Sequence, residues 1–146
     1  MVEQVVRLTV NFVVSREQLE EFTRIAQAMT AVAAAEPGTL GYEWFASADG
    51  KRFRLVETYV DASAIEAHFM GPAVQQWVPK LVPVCKVDGF EIYGDPGPKV
   101  AAMAGGLAPD HKRVAIDDIG AGVGVTFQRQ QFCFIAAQMR GAIEDM

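Results

Sequence analysis

Hydrophobic and polar residues alternate from Val5 to Val14. Val6, Leu8, Val10, Phe12 and Val14 share one phase; Arg7, Thr9, Asn11 and Val13 share the other. A period of two carried by β-branched residues predicts a strand with one buried face. The period then lengthens: Leu19, Phe22, Ile25, Ala26, Met29, Val32 and Ala33 recur at helical spacing and predict a helix with one apolar stripe. Ser15, with Gln18 three positions on, reads as its capping box. Glu36-Pro37-Gly38 stops it, because proline cannot continue a helix and glycine tolerates the turn. Thr39 to Ala46 and Phe53 to Val60 read as two more strands, joined through Ala48-Asp49-Gly50-Lys51, whose Asp-Gly pair suits a tight hairpin. Asp61 caps a second helix with Ala62, Ile65 and Phe69 on one side, and Gly71-Pro72 breaks it. Val74, Trp77, Val78 and Leu81 follow in a segment that Pro79 and Pro83 keep short or kinked, and Lys86 to Tyr93 reads as a fourth strand.

The order strand, helix, strand, strand, helix, strand predicts an α+β fold: a ferredoxin-like four-stranded antiparallel sheet with helices on one face. Both phases of the second strand carry aromatics, Tyr42 and Trp44 in one and Phe45 in the other. A sheet that is apolar on both sides cannot leave one side in water, so a homodimer or higher homo-oligomer joined sheet to sheet is expected. Gly94-Asp95-Pro96-Gly97-Pro98 reads as a boundary, dividing a domain at 1–95 from a C-terminal extension at 96–146. Within the extension, Met103 to Pro109 reads as loop, Arg113 to Ile116 as a short strand, and 128–143 as an amphipathic helix with Phe132, Ile135, Met139 and Ile143 on one face.

Composition narrows the function classes. Just over half of the 146 residues are hydrophobic, as in a packed globular chain. The net charge of −5 is uneven: residues 1–95 hold 8 Lys/Arg against 13 Asp/Glu, and residues 96–146 hold five of each. With no basic face, nucleic acid is not an expected partner. No apolar run reaches the roughly 18 residues of a membrane span. The start, MVEQVVRLTVNF, lacks the basic-then-apolar layout of a signal peptide, so no membrane association and a cytoplasmic location are expected. Cys85 and Cys133 read as free thiols, and the two His and two Cys match no metal-ligand spacing. Gly120-x-Gly122-x-Gly124 fails the spacing of a dinucleotide loop, and the three serines form no visible triad.

Four short stretches, Glu36-Pro37-Gly38, Gly41-Tyr42, Glu57 within VETYVD, and IEAHFMGP from Ile65 to Pro72, carry a family resemblance. Residues 1–95 resemble the antibiotic biosynthesis monooxygenase (ABM) domain of the dimeric α+β barrel group. Similar proteins include small quinol monooxygenases, haem-degrading monooxygenases and aromatic-polyketide oxygenases. The resemblance implies a dimer and a cofactor-independent monooxygenase that uses O2 on a phenolic, quinol or polycyclic aromatic small molecule. Two positions depart from the quinol type: Ala73 stands where a second His is common, and Tyr59 where the third strand often ends in Trp. No haem-ligating His lies near His68, which points away from haem degradation.

His68, on the second helix, is the leading catalytic residue: an imidazole near neutral pKa can take a proton from a phenol, leaving a phenolate that reduces O2. Asn11, on the more polar phase of the first strand, is the second, as a polar anchor. Phe69, Trp77, Tyr42, Phe45 and Tyr59 offer flat apolar walls for a planar ring, although such residues also fill cores. Glu57, Arg54 and Glu43 read as cross-strand ion pairs or dimer contacts. The alternative is a small-molecule binding or sensing protein of the same fold without turnover, which Ala73 favours.

Overall fold

The computed structural model describes residues 5–107 and 112–114. Four long strands form: β1 (Val6–Val13), β2 (Thr39–Ala46), β3 (Arg52–Tyr59) and β4 (Lys86–Tyr93). The main helices are α1 (Leu19–Ala34) and α2 (Ala62–Met70). Between α2 and β4 runs an irregular segment: a π-turn at Ala73–Trp77, the single turn α3 (Val78–Leu81), and a 3-10 turn at Val82–Val84. The order across the sheet is β2-β3-β1-β4-β5, and all pairs among the first four strands are antiparallel. This is the expected ferredoxin-like sheet with one strand added. That strand, β5 (Lys112–Val114), pairs with β4 in parallel.

The alternating phases sort as expected. Val6, Leu8, Val10 and Phe12 of β1, Tyr42 and Trp44 of β2, and Phe53, Leu55 and Tyr59 of β3 are buried beneath the helices. Phe22 of α1 stacks into this layer, edge-on to Trp44 at 5.7 Å and to Phe12 at 5.6 Å. Trp44 Nε1 donates to Thr30 Oγ1 at 3.0 Å, so the buried indole N–H is satisfied. Gly50 supplies the positive φ, 71°, that the hairpin turn needs. At Gly38 a Cβ would come within 2.5 Å of the Ala64 Cβ, so the absent side chain lets α2 lie against the start of β2.

Two local readings change. Asp61 caps α2, accepting from the Ala64 N–H at 2.8 Å, but Ser15 makes no side-chain cap bond. The chain enters α1 through a 3-10 turn at Arg16–Gln18, whose tighter winding replaces the capping box. Beyond Gly94–Pro98, where loop was expected from Met103, the chain forms α4 (Pro98–Leu107). Val100 and Ala104 are fully buried in the common core, and packing overrides the two glycines at 105 and 106. Lys99 pairs with Glu66 of α2 at 3.2 Å. The helix expected at 128–143, His111, Cys133 and the glycines at 120–124 lie outside the described residues.

Candidate active site

Beneath α2 and the irregular segment, on the helix-covered face of the sheet, lies a small apolar cavity of about 70 Å³. Leu8, Val10, Phe12, Leu55 and Phe90 form its floor; Met29, Phe69, Val74, Val78, Leu81 and Val82 form its roof. Its polar groups all stand at one end: Glu57, His68 and Tyr42.

Glu57 belongs to the inward phase of β3, between Leu55 and Tyr59, and is only 3% exposed. A carboxylate there must be paired or neutralised. Tyr59 Oη donates to its Oε1 at 2.6 Å, and His68 Nε2 stands 3.2 Å from the same oxygen. On the other side of the ring, His68 Nδ1 lies 2.8 and 3.0 Å from the two oxygens of Glu36. Glu36 sits at the end of α1, partly exposed, where Thr39 Oγ1 donates to it at 2.7 Å. The imidazole, 1% exposed, is thus held between two carboxylates.

Burial alone would drive the imidazole pKa down. Hydrogen bonding to Glu36 and Glu57, together with their charge, outweighs it and raises the value to about 9. His68 therefore stands as an imidazolium at neutral pH, with both N–H groups directed at acceptors. It is not free to take a proton. The group in the cavity that can do so is Glu57, whose Oε2 accepts no hydrogen bond from the described residues. Burial and the nearby charge of Glu57 push the Tyr42 hydroxyl well above its ordinary pKa, and the same causes act on Tyr59.

Of the residues expected from sequence, His68, Phe69 and Tyr42 meet at the cavity. Tyr59 lies behind Glu57, with its ring 5.3 Å from that of His68. Asn11 and Phe45 are on the opposite face of the sheet, because both occupy the outward phase of their strands. Asn11 Oδ1 accepts from Arg54 Nε at 2.8 Å, and its amide packs over Gly89 at the irregularity between β1 and β4. Trp77 is partly buried against the core without lining the cavity, and carries Lys80 Nζ 4.5 Å above its ring. The π-turn has more residues per turn than an α-helix, so Val78 rather than Trp77 follows Val74 to the cavity side. Sequence reasoning did not single out Glu36, and it read Glu57 as an ordinary ion pair. The available signal was an ionisable residue within the apolar phase Phe53, Leu55, Glu57, Tyr59. Among the described residues no cluster of three or more His, Cys, Asp or Glu is placed to hold a metal ion. Nor is any described helix long and apolar enough to cross a membrane.

The family profile described as antibiotic biosynthesis monooxygenase matches residues 5–80, just over half of the chain and all of the cavity's roof as far as Val78. The chain belongs to the antibiotic biosynthesis monooxygenase family. No curated protein matches it. Among solved structures, MupZ from Pseudomonas fluorescens is similar in fold, with a TM-score of 0.63 and 18% identity over 79% of this chain and 87% of that one. A conserved protein from Bacteroides thetaiotaomicron, described as a possible oxidoreductase, matches with a TM-score of 0.58 and 24% identity over 62% of this chain and 96% of the other. SnoaB, a cofactor-independent oxygenase from Streptomyces nogalater, matches with a TM-score of 0.55 and 15% identity over 64% of this chain and 95% of that one. At these identities the likeness concerns the fold.

Proposed function

We propose that this ABM-family protein is a cofactor-independent monooxygenase acting on a phenolic or quinol aromatic molecule, with Glu57 as the general base and His68 as the cation paired with it. The observation that carries this reading is a carboxylate facing an otherwise apolar cavity while its other oxygen is held by Tyr59 and His68. A base in such a place acts on a substrate whose only acidic group is its buried end.

The chemistry balances without an external reductant. Glu57 takes the phenolic proton; the electron-rich ring then donates to O2, and a C–O bond forms at ring carbon. Loss of water from the resulting hydroperoxide leaves a quinone, with one oxygen atom in the product and one in water. The substrate supplies all four electrons that O2 takes up and both hydrogens of the water. Ligand pockets for drug-sized molecules measure about 300–1,000 Å³, so this cavity suits a single ring. A polycyclic substrate requires the wall formed by residues 73–84 to move outward. Phe69 and Tyr42 supply the aromatic walls.

The same reading includes a homodimer. The outer sheet face carries the half-exposed Phe45 beside Val56, and it bears Arg54 with Asn11 across the ladder. A second copy covering this face would remove those apolar groups from water.

The test is oxygen uptake by metal-free protein with catechols, naphthoquinols and anthrones. Uptake above the protein-free rate that Glu57→Gln abolishes supports the enzyme. Absence of uptake across the panel, with binding of the same compounds intact, would sink it in favour of a binding protein.

A further inference from the structure

Tyr42 and Glu57 face each other directly across the β2–β3 ladder, both on the inward phase. Partners in such positions hold their Cβ atoms about 5 Å apart. Tyr42 is fully buried, yet its hydroxyl has no hydrogen-bond partner among the described residues. Buried hydroxyls are nearly always paired, and an unpaired one has a standing cost. It lines the same end of the cavity as Glu57 and His68, and its ring lies 5.7 Å from that of His68. Glu57 presents the complementary need, for its Oε1 is taken by Tyr59 and His68 while Oε2 accepts nothing from the described residues. One unused donor, on an enclosed hydroxyl, and one unused acceptor therefore belong to cross-strand neighbours that both line the apolar cavity.

We propose that Tyr42 Oη and Glu57 Oε2 form a two-point clamp for one neutral hydroxyl group, which gives its hydrogen to Glu57 and accepts one from Tyr42. The ligand class follows: a single-ring phenol or enol, in preference to the hydrocarbon, ether or carboxylate of similar shape. A hydrocarbon leaves both protein groups unpaired. An ether satisfies Tyr42 and strands Glu57. An anion meets Glu36 and Glu57 with only His68 to offset them. Burial keeps Tyr42 protonated across the ordinary pH range, so it acts as donor throughout. The clamp rests on the cavity being the ligand site proposed above, but not on turnover.

Titrating the full chain with phenol, anisole, toluene and benzoate, followed by NMR shifts or calorimetry, tests it. Phenol is expected to bind about tenfold tighter than toluene or anisole, and benzoate weakest. Tyr42→Phe is expected to bring phenol to the level of toluene, to leave toluene unchanged, and to raise Tm because the unpaired hydroxyl is gone. Equal binding of phenol and toluene, no binding of either, or full phenol affinity in Tyr42→Phe would overturn the clamp. If Tyr42→Phe misfolds, the ordering of the four compounds on the unaltered protein decides. Oxygen uptake without that ordering sinks the clamp alone; the ordering without uptake sinks only the oxygenase.

Discussion

A histidine between two carboxylates is a different chemical object from a histidine in water. His68 looks from sequence like a base, and its surroundings make it a buried cation instead. Because its folded-state pKa, about 9, lies above the ordinary 6.5, it stabilises the fold fully below about pH 6.5. That stabilisation is lost as pH rises through about 9. The expected loss is on the order of 3 kcal/mol at about 1.4 kcal/mol per pH unit, read as the fall in urea-unfolding free energy from pH 6.5 to pH 10. The fall should be much flatter in His68→Gln; equal curves for both proteins would contradict the imidazolium. At the same scale, Glu57→Gln should lower kcat by about 10²–10⁴ with an active substrate, and should also lower Tm, because it removes one of the two carboxylates that hold the buried imidazolium. His68 was legible as a site residue because it is one of two histidines and lies on a capped helix. Its charge state was not, since Glu36 and Glu57 are 32 and 11 positions away in sequence and meet it only through the fold.

Among the elements, capping shows how far local signals reach. Asp61 and Ser15 look alike as N-cap residues, but only Asp61 makes the bond. Asp61→Ala should cost about 1 kcal/mol, whereas Ser15→Ala should stay within about 0.5 kcal/mol. Chemical denaturation of the two variants checks the contrast, and equal losses would refute it. Gly38 poses a tighter constraint, because an added Cβ meets Ala64 at 2.5 Å on the helix that carries His68. Gly38→Ala should cost about 1–3 kcal/mol through overpacking, and the displaced α2 should lower activity as well. A stable, fully active Gly38→Ala would show that α2 has slack. Strands and the hairpin were legible because period-two alternation and Asp-Gly are local. The π-turn and α4 were not: the first depends on how 73–77 packs over the cavity, the second on burying Val100 and Ala104 against a core already formed.

For the molecule as a whole, the sheet has one face committed to helices and one that the described residues leave uncovered. The outer face holds Asn11, Arg54 and the half-exposed Phe45, and Tyr93 donates to Glu91 there. If a second copy covers it, Phe45→Glu should convert the assembly to single chains with an unchanged circular dichroism spectrum. Light scattering after size exclusion reads the mass. A single-chain mass for the unaltered protein would end the dimer proposal. Activity that survives in such a variant would place the whole site within one chain.

The amino-acid sequence by itself determined the strand and helix order, the two alternating phases of each strand, the helix stop at Glu36-Pro37-Gly38 and the family resemblance, because each is written in spacing a few residues long. Tertiary structure alone decided which side of the sheet each candidate faces. A strand alternates every residue, so Asn11 and Phe45 go to one face while Tyr42 and Glu57 go to the other, and the site belongs to the face that the helices close. It also decided the chemistry of that site. Desolvation and charge act over a few ångströms of space rather than of sequence, and only the folded chain brings Glu36, His68 and Glu57 within that distance.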